Sequence, residues 1–107
     1  MMTPEGKVKA AVNRVIDKFK GVYKFMPVPG GFGASTIDYI LCVNGHFVGI
    51  ETKAPGKKPT DRQKHIIGQI VRAGGTVFVI DSVDATHELK IFLERAHHAQ
   101  SPSIKET

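Results

Sequence analysis

Tryptophan is absent, cysteine occurs once, and aromatic residues make up 7% of the 107-residue chain. So few flat side chains leave little surface on which unpaired bases could stack, which argues against an RNA-directed domain. The lone Cys42 forms no intrachain disulfide. Without partners at ligand spacing it builds no thiolate zinc site either, and it reads as a small buried apolar residue. Apolar runs are short, with Val77 to Ile80 among the longest, so a membrane span is not expected. The opening Met-Met-Thr-Pro-Glu-Gly-Lys lacks the apolar core of a secretory signal, making the cytoplasm the expected compartment.

Acidic side chains are the minority, ten against fifteen Lys and Arg, for a formal charge of +5. An anionic partner fits this balance, and so does the ordinary lysine-rich surface of helices. The length allows one domain with a modest core, read as residues 1–99, followed by a tail over 100–107 that is expected to be disordered.

Thr3 and Pro4 have the types preferred at a helix N-cap and first turn. Val8, Ala11, Val12, Val15, Ile16 and Phe19 then recur at helical spacing, predicting a helix that runs to Gly21. Val22 to Met26 is a short strand candidate, followed by a loop rich in Pro and Gly. Residues 36–43 and 46–53 are β-prone runs joined by Asn44-Gly45, a strong signal for a type I′ hairpin. Thr60 and Gln63 form a capping box ahead of a helix carrying Ile66, Ile67, Ile70 and Val71 and stopping at Gly74-Gly75. Thr76 to Ile80 reads as a buried strand. A last helix is expected from about Asp84 to His98, with Leu89, Phe92, Leu93 and Ala96 on its apolar face. The order α-β-β-β-α-β-α predicts an α/β fold, one mixed sheet flanked by helices.

The hairpin turn sets a register. With Val43 opposite His46, counting back places Asp38 opposite Glu51, where Cβ atoms lie about 4.5 to 5.5 Å apart and two carboxylates repel. A positive group is expected between them. Lys53 shares the face of Glu51, while Tyr39, Leu41, Val48 and Ile50 turn to the core. Glu5 and Gln63 fall on the inward stripes of their helices, so Glu5, Asp38, Glu51, Lys53 and Gln63 are all expected toward the sheet's interior side. Grouped carboxylates of this kind suit a hard divalent cation, Mg²⁺ or Mn²⁺, with positions left for water and phosphate. A neighbouring lysine suits orientation or deprotonation of the attacking water and stabilisation of developing charge.

An acidic residue in the first helix, an Asp at the start of a hairpin strand, Glu51-Thr52-Lys53 and a helix beginning near Gln63 resemble the PD-(D/E)XK nuclease superfamily. Thr3-Pro4-Glu5-Gly6, the glycine-rich loop, Gly49-Ile50-Glu51-Thr52-Lys53 and Pro59-Thr60 with Gln63 resemble, more closely, the VRR-NUC (virus-type replication-repair nuclease) family, over residues 3 to about 80. The resemblance implies a restriction-endonuclease-like αβββαβ core. It implies Asp38, Glu51 and the Thr52 carbonyl as metal ligands with Glu5 as a further candidate, Lys53 as the catalytic lysine, and Glu5 and Gln63 as supporting residues. It also implies a homodimeric endonuclease acting on branched DNA such as four-way junctions, as in phage proteins. The superfamily's usual Pro before the first Asp is Ile37 here.

Other readings stand beside these. Glu-x-Lys is common on solvated strands, and it is the register of Asp38 that sets this instance apart. Glu5 suits a helix N-terminus by charge alone, and Gln63 suits a capping box. Gly31, Gly33 and Ser35 in the loop, with Lys57, Lys58, Arg62 and Lys64, are candidate DNA contacts or simply an ordinary loop and ordinary basic residues. Gly31-Phe32-Gly33 lacks the spacing of a dinucleotide fingerprint. His97-His98 diverge by about 100° on a helix and have no acidic partner nearby. His46, His65 and His87 read as surface or dipole-complementing residues. The competing functional reading is a non-catalytic DNA-binding or recombination accessory module with the same fold.

Overall fold

The computed structural model describes residues 2–28, 37–98 and 103–106. Helix α1 spans Pro4–Ile16, strands β1 to β3 span Val22–Phe25, Tyr39–Val43 and His46–Thr52, α2 spans Asp61–Arg72, β4 Thr76–Ile80 and α3 Thr86–Ala96. The sheet order is β1-β2-β3-β4. The first three strands are antiparallel, and β4 lies parallel to β3. A parallel pair needs a crossover, and α2 supplies it. This is the expected α/β architecture with a mixed sheet and flanking helices.

The hairpin forms in the expected register, Val43 facing His46 and Tyr39 facing Ile50. Asn44 and Gly45 both take positive φ (52° and 80°), the pair of conformations that a type I′ turn demands. Tyr39, Leu41, Val43, Val48 and Ile50 alternate onto one face, where Val8, Val12, Val15 and Ile16 of α1 and Leu89 and Leu93 of α3 close over them. The opposite face receives α2.

Both α1 and α2 start where their caps dictate. Thr3 Oγ1 accepts from the Gly6 amide at 3.0 Å. Thr60 and Gln63 complete a reciprocal capping box. At its other end α2 closes with a Schellman motif: the Gly75 amide donates to the Ile70 carbonyl, the Gly74 amide to that of Val71, and Gly74 has φ of 96°.

Several boundaries and burials differ from expectation, for reasons of packing. Helix α1 ends at Ile16 rather than near Gly21. The chain tightens there through Lys18 to Val15 and Phe19 to Ile16 hydrogen bonds, and Phe19 reaches the core from this turn. Strand β1 ends at Phe25, one residue short of Met26. A turn in which the Thr86 amide donates to Val83 and the His87 amide to Asp84 delays α3 to Thr86, and α3 stops at Ala96. Strand β4 is a sheet edge: on its core face Ile80 is buried and Phe78 only partly so, and on the face that α2 partly covers Val79 is exposed. Cys42 is exposed too, because the register turns it away from the α1 and α3 core toward a region of the sheet that α2 leaves open. His46 is half-buried rather than on the surface, its Nε2 sharing a 2.8 Å hydrogen bond with Thr76 Oγ1. Residues 103–106 of the tail have no regular secondary structure.

Candidate active site

Glu51 lies near the C-terminal end of β3, on the face turned toward α2. It is 2% exposed, an unusual burial for a carboxylate. Its Oε2 accepts from Gln63 Nε2 at 2.6 Å and lies 3.4 Å from Lys53 Nζ. Its Oε1 is buried and, among the described residues, accepts no hydrogen bond. Burial, followed by the charge of Asp38, pushes the Glu51 carboxyl up to about 7 against the opposing pull of Lys53. The hairpin register and the bonds from Thr52 to Asp38 place the two carboxyl groups at the same end of the β2–β3 pair.

Asp38 sits in a bend immediately before β2. Its Oδ2 accepts from both the backbone amide and the hydroxyl of Thr52, each at 2.8 Å, and these bonds tie the start of β2 to the end of β3. Its Oδ1 lies 3.4 Å from Lys9 Nζ, contributed by α1. Positive charge thus flanks the carboxyl pair, with Lys53 against Glu51 and Lys9 against Asp38. Lys53 follows directly after β3, and its amide donates to the Ile80 carbonyl, so β4 fixes the backbone from which its side chain projects.

The Gln63 amide serves two purposes at once. Its Oε1 accepts from the Thr60 amide at 2.9 Å to close the capping box, which leaves its NH₂ end for Glu51. The capping and site readings of this residue are both satisfied. Glu5 behaves differently. Helices α1 and α2 flank opposite faces, so Glu5 does not join Gln63 and Glu51 on one side. Its side chain is 43% exposed and is paired with Lys9 Nζ at 3.8 Å. The expectation that all five residues converge on the sheet's interior side is corrected accordingly: Asp38, Glu51, Lys53 and Gln63 come together, and Glu5 is linked to them through Lys9.

Sequence reasoning overlooked Lys9 and the hydroxyl of Thr52. Lys9 was legible as the residue four after Glu5, a spacing at which opposite charges meet on a helix. Thr52 was considered only for its carbonyl, yet its amide and hydroxyl are what fix Asp38. Behind the site, Tyr39 is fully buried. Its hydroxyl donates to the Lys9 carbonyl (3.3 Å) and accepts from Asn13 Nδ2 (3.1 Å). Burial first, and then the charge of Asp38, pushes this phenol up to about 12.

Lys57 and Lys58 are exposed on the turn that follows Lys53, and Arg62 and Lys64 are exposed on either side of Gln63. Gly31, Gly33 and Ser35 lie outside the described residues. An apolar recess of about 320 Å³ is lined by Phe47, Gln69, Ile70, Ala73 and Gly75. It lies toward the other end of β3 from Glu51 and brings together no titratable group.

Among the described residues, no three His, Cys, Asp or Glu side chains form a group able to hold a metal ion. The Asp38 and Glu51 pair nevertheless suits a hard cation in the character of its donors. Both are carboxylates, and one buried oxygen is unmatched by any donor, an arrangement that a cation with water and phosphate as its remaining ligands would satisfy. Among the described residues no helix is long and apolar enough to cross a membrane. The sequence matches no protein-family model and no curated protein.

Proposed function

We propose that this protein is a metal-dependent DNA endonuclease of the PD-(D/E)XK type, similar to the VRR-NUC family, that hydrolyses phosphodiester bonds. The observation that carries this reading is Glu51: a carboxyl with one bare oxygen, buried beside a second carboxyl and an ammonium group. A purely structural Glu at this position would be costly, because burial of an unmatched charged oxygen destabilises the fold. Sites that retain such a cost are commonly those where chemistry requires it.

In this reading Asp38 and Glu51 hold Mg²⁺ or Mn²⁺, with the Thr52 carbonyl as a candidate third ligand. The cation supplies Lewis acidity toward a phosphate oxygen and toward the attacking water. Thr52 holds Asp38 in place through its amide and hydroxyl, and Gln63 holds Glu51 through its NH₂ group. The Lys53 ammonium, beside Glu51, orients water and stabilises negative charge gathering on the phosphate oxygens as the new P–O bond forms and the leaving P–O bond breaks. Lys57, Lys58, Arg62 and Lys64 form a basic margin around these residues for DNA phosphates, and the net charge of +5 supports the same partner.

Selectivity for branched DNA rests on the family likeness and on the lack of an obvious base-reading helix, and the same likeness supports action in a bacterial or phage-infected cytoplasm. A homodimer is supported by exposed apolar side chains on the α2 side of the sheet, namely Tyr23, Phe25 and Phe47, with Cys42 among them.

The test is incubation with Mg²⁺ or Mn²⁺ and labelled linear, nicked, single-stranded and four-way-junction DNA, alongside Glu51→Ala and Lys53→Ala. Removing Lys53 is expected to slow cleavage by roughly 10² to 10³-fold, the effect of losing one charge-stabilising donor. EDTA and Glu51→Ala are expected to abolish it. Salt-sensitive binding to DNA with no cleavage under any of these conditions would identify a non-catalytic accessory module instead.

A further inference from the structure

The four carboxylate oxygens of the Asp38 and Glu51 pair are not equivalent. Asp38 Oδ2 already accepts two hydrogen bonds from Thr52, and Glu51 Oε2 is engaged by Gln63 and Lys53. That leaves Asp38 Oδ1 and Glu51 Oε1 for a cation. Oε1 is bare, and Oδ1 has Lys9 Nζ at 3.4 Å. An ammonium on Oδ1 stands where a divalent cation would need to bind, and it would repel that cation across a short distance.

Lys9 has somewhere else to go. The Glu5 carboxylate lies 3.8 Å from the same Nζ, one helical turn back on α1, and both side chains are partly exposed, at 35% and 43%. The backbone of Lys9 is held by the hydroxyl of the fully buried Tyr39 at 3.3 Å, so transfer of the ammonium requires only side-chain rotation. Among the described residues Lys53 has no comparable alternative: its ion pair is with Glu51 and its side chain is 15% exposed.

We propose that Lys9 is a resident counter-cation of Asp38 that is handed to Glu5 when a divalent metal binds, so that Glu5 acts as a positioning residue for Lys9 and not as a metal ligand. The proposal rests on the metal-dependent reading given above, and it predicts a particular coupling. Neutralising Lys9 removes a competitor and tightens metal binding. Neutralising Glu5 leaves Lys9 on Asp38 and weakens it. Once Lys9 is neutral, Glu5 has nothing to hold.

The experiment is titration of Mn²⁺ into the DNA-free protein, followed by calorimetry and by the paramagnetic resonance of free Mn²⁺, with melting in EDTA to establish that each variant is folded. Lys9→Gln is expected to bind Mn²⁺ roughly threefold to tenfold more tightly than the wild type, and Glu5→Gln more weakly by a similar factor, the scale of a partly exposed charge pair. The Glu5→Gln/Lys9→Gln double variant is expected to match Lys9→Gln, and Lys9→Arg to behave like the wild type. A loss from Glu5→Gln that persists undiminished in the Lys9→Gln background would make Glu5 a direct ligand and overturn the proposal, as would unchanged or weaker binding in Lys9→Gln. Wild-type protein that takes up no Mn²⁺, or uptake that survives Glu51→Gln, would instead overturn the metal-site reading itself and this inference with it.

Discussion

The two faces of the sheet are built on different terms. Toward α1 and α3, Tyr39, Leu41, Val43, Val48 and Ile50 are all 0% exposed and meet aliphatic side chains from both helices. Toward α2, no residue of the helix is fully buried, Phe47 and Val79 remain exposed, and a carboxylate is enclosed near the end of β3. One face supplies most of the apolar burial that stabilises the fold. The other tolerates a group that costs stability, because the first face holds the strands in place while it does so. Each strand contributes to both through its alternation, so Ile50 in the core and Glu51 in the site are consecutive residues.

From that division, a substitution on the core face is expected to reduce stability at every pH, whereas those around Glu51 are expected to have effects that depend on pH. The largest expected loss is from Leu41→Ala, about 2 to 5 kcal/mol by urea denaturation, similar at pH 5 and pH 8, since it removes buried methyl groups and touches no charge. A strongly pH-dependent cost for Leu41→Ala would mean that the two faces are not separable.

Next in size is the effect of Glu51 itself. Its carboxyl is raised to about 7 from an ordinary 4.5, so the folded protein binds this proton more tightly than the unfolded chain does. The contribution to stability is full below about pH 4.5 and is lost as the pH rises through about 7, amounting to about 3 kcal/mol in the metal-free protein. Glu51→Gln, which cannot ionise, is expected to flatten this part of the profile and to exceed the wild type in stability at pH 8 in EDTA. An unchanged slope between pH 5 and pH 8 in Glu51→Gln would show that other groups produce it.

The smallest effect, and the sharpest, concerns Gln63. Gln63→Ala loses the capping box and the donor to Glu51, about 1 to 2 kcal/mol together. Gln63→Glu retains the residue type of a capping box but sets a second acid against Glu51. It is therefore expected to be destabilising at pH 8 and nearly neutral at pH 5, in the same denaturation measurement. Equal costs for the two variants at both pH values would leave Gln63 as a cap alone.

Much of this organisation was legible in the residues. Asn44-Gly45 determined the turn, the turn determined the register, and the register placed Asp38 near Glu51 and sent Tyr39, Leu41, Val48 and Ile50 to the core. Thr60 and Gln63 marked the start of α2 by a hydrogen-bond pattern that involves only neighbours in the chain. These features depend on backbone geometry over a few residues, and local sequence is sufficient to specify them. What needed the tertiary structure was everything that depends on which element covers which face. Periodicity carried α1 on to Gly21, but Phe19 reaches the core from a turn. Apolar character put Cys42 and β4 in the interior, but α2 is too narrow a cover for the whole of its face. Glu5 looked inward on its helix, yet α1 lies across the sheet from Gln63, and Lys9 intervenes between Glu5 and Asp38. A helical stripe specifies a direction relative to its own axis. Only the packing of that axis against the sheet decides whether the direction leads to the site, to a neighbouring charge or to water.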